Sequence, residues 1–220
     1  LFYNVVKQIQ PKTKLKTVIV ANIKEYLPGL AKFLFTLAVE KKEGHYLADV
    51  QSGDYWFQDI LSKYDGQQPN VDVTSDDLAI FQYTGGTTGV SKAAMAQHKA
   101  LVANMLQLEC ILNVFNVPPE DDVFLGAIPF FHVYGLVIVV STSVYRGSKV
   151  VLVPNARDID DVIDNIRTFR PTLFPGVPAL YNAINNHPKV KNGEIDLSSL
   201  RFCISGSAPL PLATNEEFER

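Results

Sequence analysis

Leu78-Ala79-Ile80-Phe81-Gln82-Tyr83-Thr84-Gly85-Gly86-Thr87-Thr88-Gly89-Val90-Ser91-Lys92 joins a β-prone apolar run to a loop of glycines and hydroxyls that ends on a lysine. The first seven residues have the aliphatic and aromatic make-up of a strand. Gly85, Gly86 and Gly89 let the backbone take positive φ angles and approach a ligand closely, so that several amide N–H groups can converge on one anion. Thr84, Thr87, Thr88 and Ser91 add hydroxyl donors, and Lys92 adds a full positive charge. The set suits a polyphosphate. A hairpin turn without a ligand also uses Gly-Gly and Thr-Gly pairs; the density of donors around the three glycines favours the anion. The Walker loop is excluded, because it needs glycine before the lysine and Ser or Thr after it. Here Ser91 precedes Lys92 and Ala93 follows.

Outward from this loop, short β-rich runs alternate with longer helical ones. Residues 17–21, 122–125, 150–153, 172–174 and 200–205 read as strands; 27–41, a long amphipathic stretch after the loop that ends near Val114, 133–145, 158–169 and 178–185 read as helices. Ile159, Val162, Ile163 and Ile166 share one face at helical spacing. This alternation predicts an α/β fold, with helices packed on a largely parallel sheet. Residues 56–75 begin helix-like and become polar around Gly66 and Pro69, which predicts a long surface connection in preference to a domain linker.

Composition narrows the function classes. A 220-residue chain with 47% hydrophobic and 20% charged residues can bury a substantial core, and a net charge of -3 leaves no basic excess for nucleic acid. Cys110 and Cys203 sit in apolar stretches and read as buried thiols of a reducing, cytoplasmic compartment. Residues 123–145 carry no Asp, Glu, Lys or Arg over a length close to a membrane span, but Gly126, Pro129, His132 and Gly135 interrupt them. A strand, a loop and a buried helix account for the run. The ends, Leu1 without a signal pattern and a helix-like stretch up to Arg220, read as those of a fragment.

Three further turns could line a site. Pro129-Phe130-Phe131-His132-Val133-Tyr134-Gly135 places a histidine among aromatics, where a hydrogen-bonded core or capping role is the simpler reading. Pro175-Gly176-Val177-Pro178 is a strand-to-helix corner where glycine can leave room for a ligand. Ser205-Gly206-Ser207-Ala208-Pro209-Leu210 follows a strand and precedes a helix, the position where open α/β sheets bind ligands. His45, His98 and His187 lack metal-ligand spacing, and Asp121, Asp122, Asp160 and Asp161 read as solvated charges at helix or strand starts.

The segment Tyr83-Thr84-Gly85-Gly86-Thr87-Thr88-Gly89-Val90-Ser91-Lys92 resembles the phosphate loop of the adenylate-forming (AMP-binding) superfamily, and Gly86 in place of a common serine resembles its long-chain fatty-acid–CoA ligases. Similarity extends through residues 77–82 and through His98, Asn104 and Gln107, and is thinner before residue 76. Ser91 replaces the usual proline and Ala93 a common glycine. By this resemblance the loop joins two antiparallel strands, so that residues 92–96 form a strand and the helix starts near His98, against the helical propensity of Lys-Ala-Ala-Met-Ala.

The resemblance implies a fold of layered sheets flanked by helices and a chain that is an incomplete portion of the AMP-binding N-terminal domain, without the small C-terminal domain. It implies that residues 83–92 with Ala93 and Ala94 bind ATP, with Thr87 and Lys92 acting in catalysis. Gly206, Ser207, Ala208 and Pro209 would pack on adenine; His132, Tyr134, Gly135 and Gly176 would border the acyl pocket. The implied reaction is ATP-dependent activation of a long-chain fatty acid through an acyl-adenylate, then transfer to coenzyme A. The metal ligands for Mg²⁺, a ribose-binding aspartate and a second lysine are expected beyond Arg220, so the chain alone is expected to be inactive. Expected partners are fatty acid, ATP and coenzyme A, with a peripheral contact at the cytoplasmic membrane face as an option and no nucleic acid. An acyl-adenylate ligase that loads a carrier protein and a non-catalytic scaffold of the same fold stay open as alternatives.

Overall fold

The computed structural model describes residues 2–84 and 92–220. They divide into two compact units, Leu1–Val71 and Asp72–Arg220. The boundary falls inside the stretch read as a surface connection, and residues 61–78 are exposed throughout.

The first unit holds helix α1 (Tyr3–Ile9), strand β1 (Ile19–Val20), helix α2 (Gly29–Ala38), strand β2 (Tyr55–Trp56) and helix α3 (Phe57–Lys63). β1 pairs in parallel with β2. Polar anchors hold it. The Tyr3 hydroxyl donates to buried Asp54 at 2.6 Å, and the Lys7 ammonium reaches the same carboxylate oxygen at 2.8 Å. Asn22 and Lys24 both donate to fully buried Glu40. Helix α2 buries none of its residues; Leu30, Phe33, Leu34 and Leu37 form an exposed apolar stripe.

In the second unit, β3 (Leu78–Thr84) and β4 (Lys92–Gln97) form an antiparallel ribbon, and α4 (His98–Val114) follows. The chain then runs through β5 (Val123–Gly126), a π-helix (Gly135–Ser141) continuous with α5 (Thr142–Arg146), β6 (Lys149–Leu152), α6 (Ile159–Phe169) and β7 (Leu173–Gly176). Helices α7 (Pro178–Asn185) and α8 (Pro188–Lys191), strand β8 (Phe202–Ser205) and helix α9 (Leu212–Phe218) complete it. The four later strands form a parallel sheet in the order β6-β5-β7-β8.

Alternation along the strands builds a core on each face. Phe124 and Leu173 pack with Leu108 and Leu112 of α4 and Val139 of the π-helix. Their neighbours Leu125 and Phe174 pack with Val162 and Ile166 of α6 and with Leu180, Tyr181 and Ile184 of α7. Coverage on both sides explains why β5 and β7 read as unbroken apolar runs. Asp158 caps α6 by accepting from the Asp161 amide, and each of Val162, Ile163 and Ile166 contributes about 2 kcal/mol through burial.

Two expectations fail. Asp122 is buried, not solvated: the buried Arg146 guanidinium binds it together with Glu109 and the Val117 carbonyl. Burial pushes the Asp122 carboxyl above its ordinary value, opposed by the hydrogen bond and charge of Arg146. Cys110 and Cys203 are exposed as residues, although burial still pushes the Cys203 thiol up to about 12. On α4, two residues past buried Leu108 is the opposite face, and β8 is a terminal strand of the sheet in these residues.

Candidate functional site at the carboxyl edge of the parallel sheet

The order β6-β5-β7-β8 makes β5 and β7 the pair at which the chain reverses its direction of travel across the sheet. Crevices at such switch points, beyond the carboxyl ends of the strands, are where open α/β sheets hold ligands. Three of the turns singled out from the sequence leave the sheet at this edge: the one after Gly126, the corner at Gly176, and the turn after Ser205.

Tyr134 ties two of them together. Its hydroxyl lies 2.8 Å from the Ile204 carbonyl and 3.1 Å from the Gly176 carbonyl, and the Gly206 amide donates to that same Gly176 carbonyl at 3.1 Å. The ring of Tyr134 occupies the space beside Gly206, where an added Cβ would sit 2.8 Å from Cζ. Gly135 lets the π-helix start beneath the Pro129 turn, since a Cβ there would meet the Pro129 carbonyl oxygen at 2.3 Å. Burial pushes the Tyr134 phenol up to about 12, so the hydroxyl stays protonated.

The structure thus brings Tyr134, Gly135, Gly176 and Gly206 into one cluster. His132 stands at its exposed margin, where its Nδ1 accepts from the Tyr134 amide; that is a turn-stabilising geometry. At Gly176 the space a side chain would need is taken by the Tyr181 ring, 2.9 Å from the position of an added Cβ. Ser207 adopts a left-handed φ of 67°, unusual for a residue with a side chain and costing roughly 1 kcal/mol. Ala208 and Pro209 are exposed beside it.

The phosphate-loop candidates sit on the ribbon. Gly85, Gly86, Thr87, Thr88, Gly89, Val90 and Ser91 lie outside the described residues. At the loop's base, Thr84 pairs with Lys92, Tyr83 with Ala93 and Gln82 with Ala94. Strand β4 covers residues 92–97 and α4 begins at His98, so the two-stranded arrangement overrides local helical propensity. The ribbon is a sheet of its own, and Tyr83 and Lys92 are exposed. Among the described residues no three His, Cys, Asp or Glu side chains gather into a metal-holding group, and no helix is long and apolar enough to cross a membrane.

Sequence reasoning missed Tyr181, whose hydroxyl donates to the Phe174 carbonyl at 2.6 Å and lies 3.1 Å from that of Ile204. It also missed Ser205, whose Oγ is buried at the end of β8 with no hydrogen-bond partner among the described residues. Tyr181 sits on the apolar face of α7 with Leu180 and Ile184, a spacing that signals core and nothing more.

Comparison with known proteins places this geometry. The family model of the AMP-binding enzyme matches residues 6–220. The long-chain-fatty-acid–CoA ligase of Bacillus subtilis (strain 168) is 33% identical over 206 residues, covering 92% of this chain and 36% of the relative. The enzyme of the same name from Yersinia pestis is 28% identical, covering 99% of this chain and 38% of the relative. The chain therefore spans little more than a third of the length of these relatives. Crystalline ATP-bound MatB from Rhodopseudomonas palustris superposes with a TM-score of 0.68 at 26% identity, over all of this chain and 40% of that one. The N-terminal domain of FACL13 from Mycobacterium tuberculosis, at 24% identity and a TM-score of 0.69, shares the fold over all of this chain and 51% of that one. A match to the family model over residues 6–220 of the 220 means that the chain belongs to the AMP-binding enzyme family.

Proposed function

We propose that the longer protein carrying this chain activates a long-chain fatty acid with ATP and passes the acyl group to coenzyme A. What carries the reading is the donor-rich loop of residues 83–92 within a chain that matches the family from residue 6 to 220. Relatives named long-chain-fatty-acid–CoA ligase support the acyl class and the acceptor.

A carboxylate is a weak electrophile with a poor leaving group, so thioester formation needs prior activation. In the proposed first step a carboxylate oxygen attacks the α-phosphorus of ATP; the new O–P bond forms as the bond to pyrophosphate breaks. In the second, the thiol sulfur attacks the acyl carbon, AMP departs, and the thiol proton passes to solvent. Loop amides, the hydroxyls of Thr84, Thr87, Thr88 and Ser91, and the Lys92 ammonium hold the polyphosphate and offset the charge that moves onto leaving pyrophosphate. Gly206, Ser207, Ala208 and Pro209 serve the adenine side; His132, Tyr134, Gly135 and Gly176 serve the acyl side. Mg²⁺, when bound, would neutralise charge on the polyphosphate; among the described residues no three His, Cys, Asp or Glu side chains gather to hold it.

The test is fatty-acid-dependent exchange of labelled pyrophosphate into ATP by the longer protein, followed by addition of coenzyme A. Exchange with long-chain acids and release of acyl-CoA are expected. No exchange with any acid overturns the reading, and acyl transfer only to a carrier protein replaces coenzyme A as acceptor. Residues 1–220 alone are expected to yield no thioester; product from the purified chain would refute that expectation.

A further inference from the structure

Two phenol hydroxyls converge on one backbone carbonyl. Ile204 O lies 2.8 Å from Tyr134 Oη and 3.1 Å from Tyr181 Oη. Each hydroxyl also reaches a second carbonyl on β7: Tyr134 that of Gly176, Tyr181 that of Phe174. The Gly206 amide closes the arrangement on Gly176 O. The phenols come from opposite sides, Tyr134 from the start of the π-helix and Tyr181 from α7. Their rings fill the spaces left by the two glycines, Tyr134 beside Gly206 and Tyr181 beside Gly176. Tyr181 is itself wedged, with its ring 4.8 Å from that of Phe174 and 4.9 Å, edge-on, from that of Phe218 in α9.

We infer that Tyr181, acting with Tyr134, is a positioning residue that holds the Gly206 turn in register with the carboxyl end of β7. Its importance for nucleotide binding rests on the proposed function; the brace itself does not. A turn whose exposed residue, Ser207, keeps a left-handed backbone needs its neighbours held from below, and a single shared carbonyl couples the two supports. Both glycines are required by the rings: a side chain at either position would push the phenol off its carbonyls.

The brace is read directly by amide hydrogen exchange in the 220-residue chain. Tyr181→Phe and Tyr134→Phe keep both rings and remove one hydroxyl each. Exchange of the Gly206 amide is expected to accelerate about 10-fold in each variant relative to amides of α6. The double variant should show less than the product of the two effects, because the hydroxyls share Ile204 O. Unchanged Gly206 exchange in both variants, or strictly multiplicative effects, overturns the brace. If one variant fails to fold, the other carries the exchange measurement, and unchanged exchange there is decisive. In the longer protein, Tyr181→Phe is expected to raise KM for ATP about 5-fold with kcat within 2-fold, since the turn is displaced and the reacting atoms are not. A fall in kcat with KM unchanged would refute positioning. Wild-type protein without pyrophosphate exchange would instead sink the functional reading and leave the amide experiment to decide the brace.

Discussion

The molecule holds its two candidate ligand elements by opposite means. The ribbon β3–β4 carries the proposed polyphosphate residues Tyr83, Thr84 and Lys92 on a two-stranded sheet, where Phe81, Tyr83 and Met95 are 55%, 66% and 73% exposed. The carboxyl edge of the four-stranded sheet carries little charge but is packed: at Gly135, Gly176 and Gly206 an added Cβ would come within 3.0 Å of a backbone group or a ring. Charge on a flexible stem works from the surface, whereas a turn that offers backbone to a flat ring needs a rigid base. Substitution should therefore damage chemistry at the ribbon and structure at the sheet edge.

The largest effect should come from Gly135→Ala, whose Cβ would lie 2.3 Å from the Pro129 carbonyl oxygen. Backbone cannot swing aside as a side chain does, and a loss of about 3 kcal/mol in urea unfolding is expected. A loss below about 1 kcal/mol would show the sheet edge to be softer than its packing implies. At the ribbon, Lys92→Ala in the longer protein should cut adenylate formation about 100-fold while leaving the melting temperature within about 1 °C, because the residue is exposed. Unchanged pyrophosphate exchange would break the comparison from the ribbon side.

Tyr134→Phe should cost about 1 kcal/mol of stability through its lost hydrogen bonds. pH offers a second view of the same group. With its folded value at about 12 and its ordinary value at 10, the phenol contributes stability that is fully present below pH 10 and lost as pH rises through 12. The fall in urea midpoint over that window should be shallower in Tyr134→Phe, and an unchanged slope would mean that the phenol is not buried as described. The smallest effect is expected for Met95→Ser on the ribbon, within about 0.5 kcal/mol of wild type. A larger loss would show that something covers the ribbon.

Legibility follows the range over which information acts. Strand β3, helix α7 and the face of α6 are visible in consecutive residues, because turn chemistry and periodicity are local. The ribbon's second strand was legible only through family likeness, since Lys-Ala-Ala-Met-Ala by itself favours helix. Asp121 and Asp122 look alike in sequence, yet Asp122 is buried because Arg146, far along the chain, reaches back to it. Tyr181 looked like one more apolar residue of α7, since nothing near it in sequence names the carbonyl of Ile204 as its neighbour.

The sequence by itself determined the anion-holding composition of residues 83–92, the exclusion of the Walker arrangement and the α/β alternation, all of which depend on neighbours a few residues apart. Tertiary structure alone decided which face of each strand meets which helix and which glycines exist to admit a ring. It decided too that two tyrosines 47 positions apart share one carbonyl. The physical reason is that burial and hydrogen-bond satisfaction are properties of the space a chain encloses, and that space is created by pairings between residues remote in sequence.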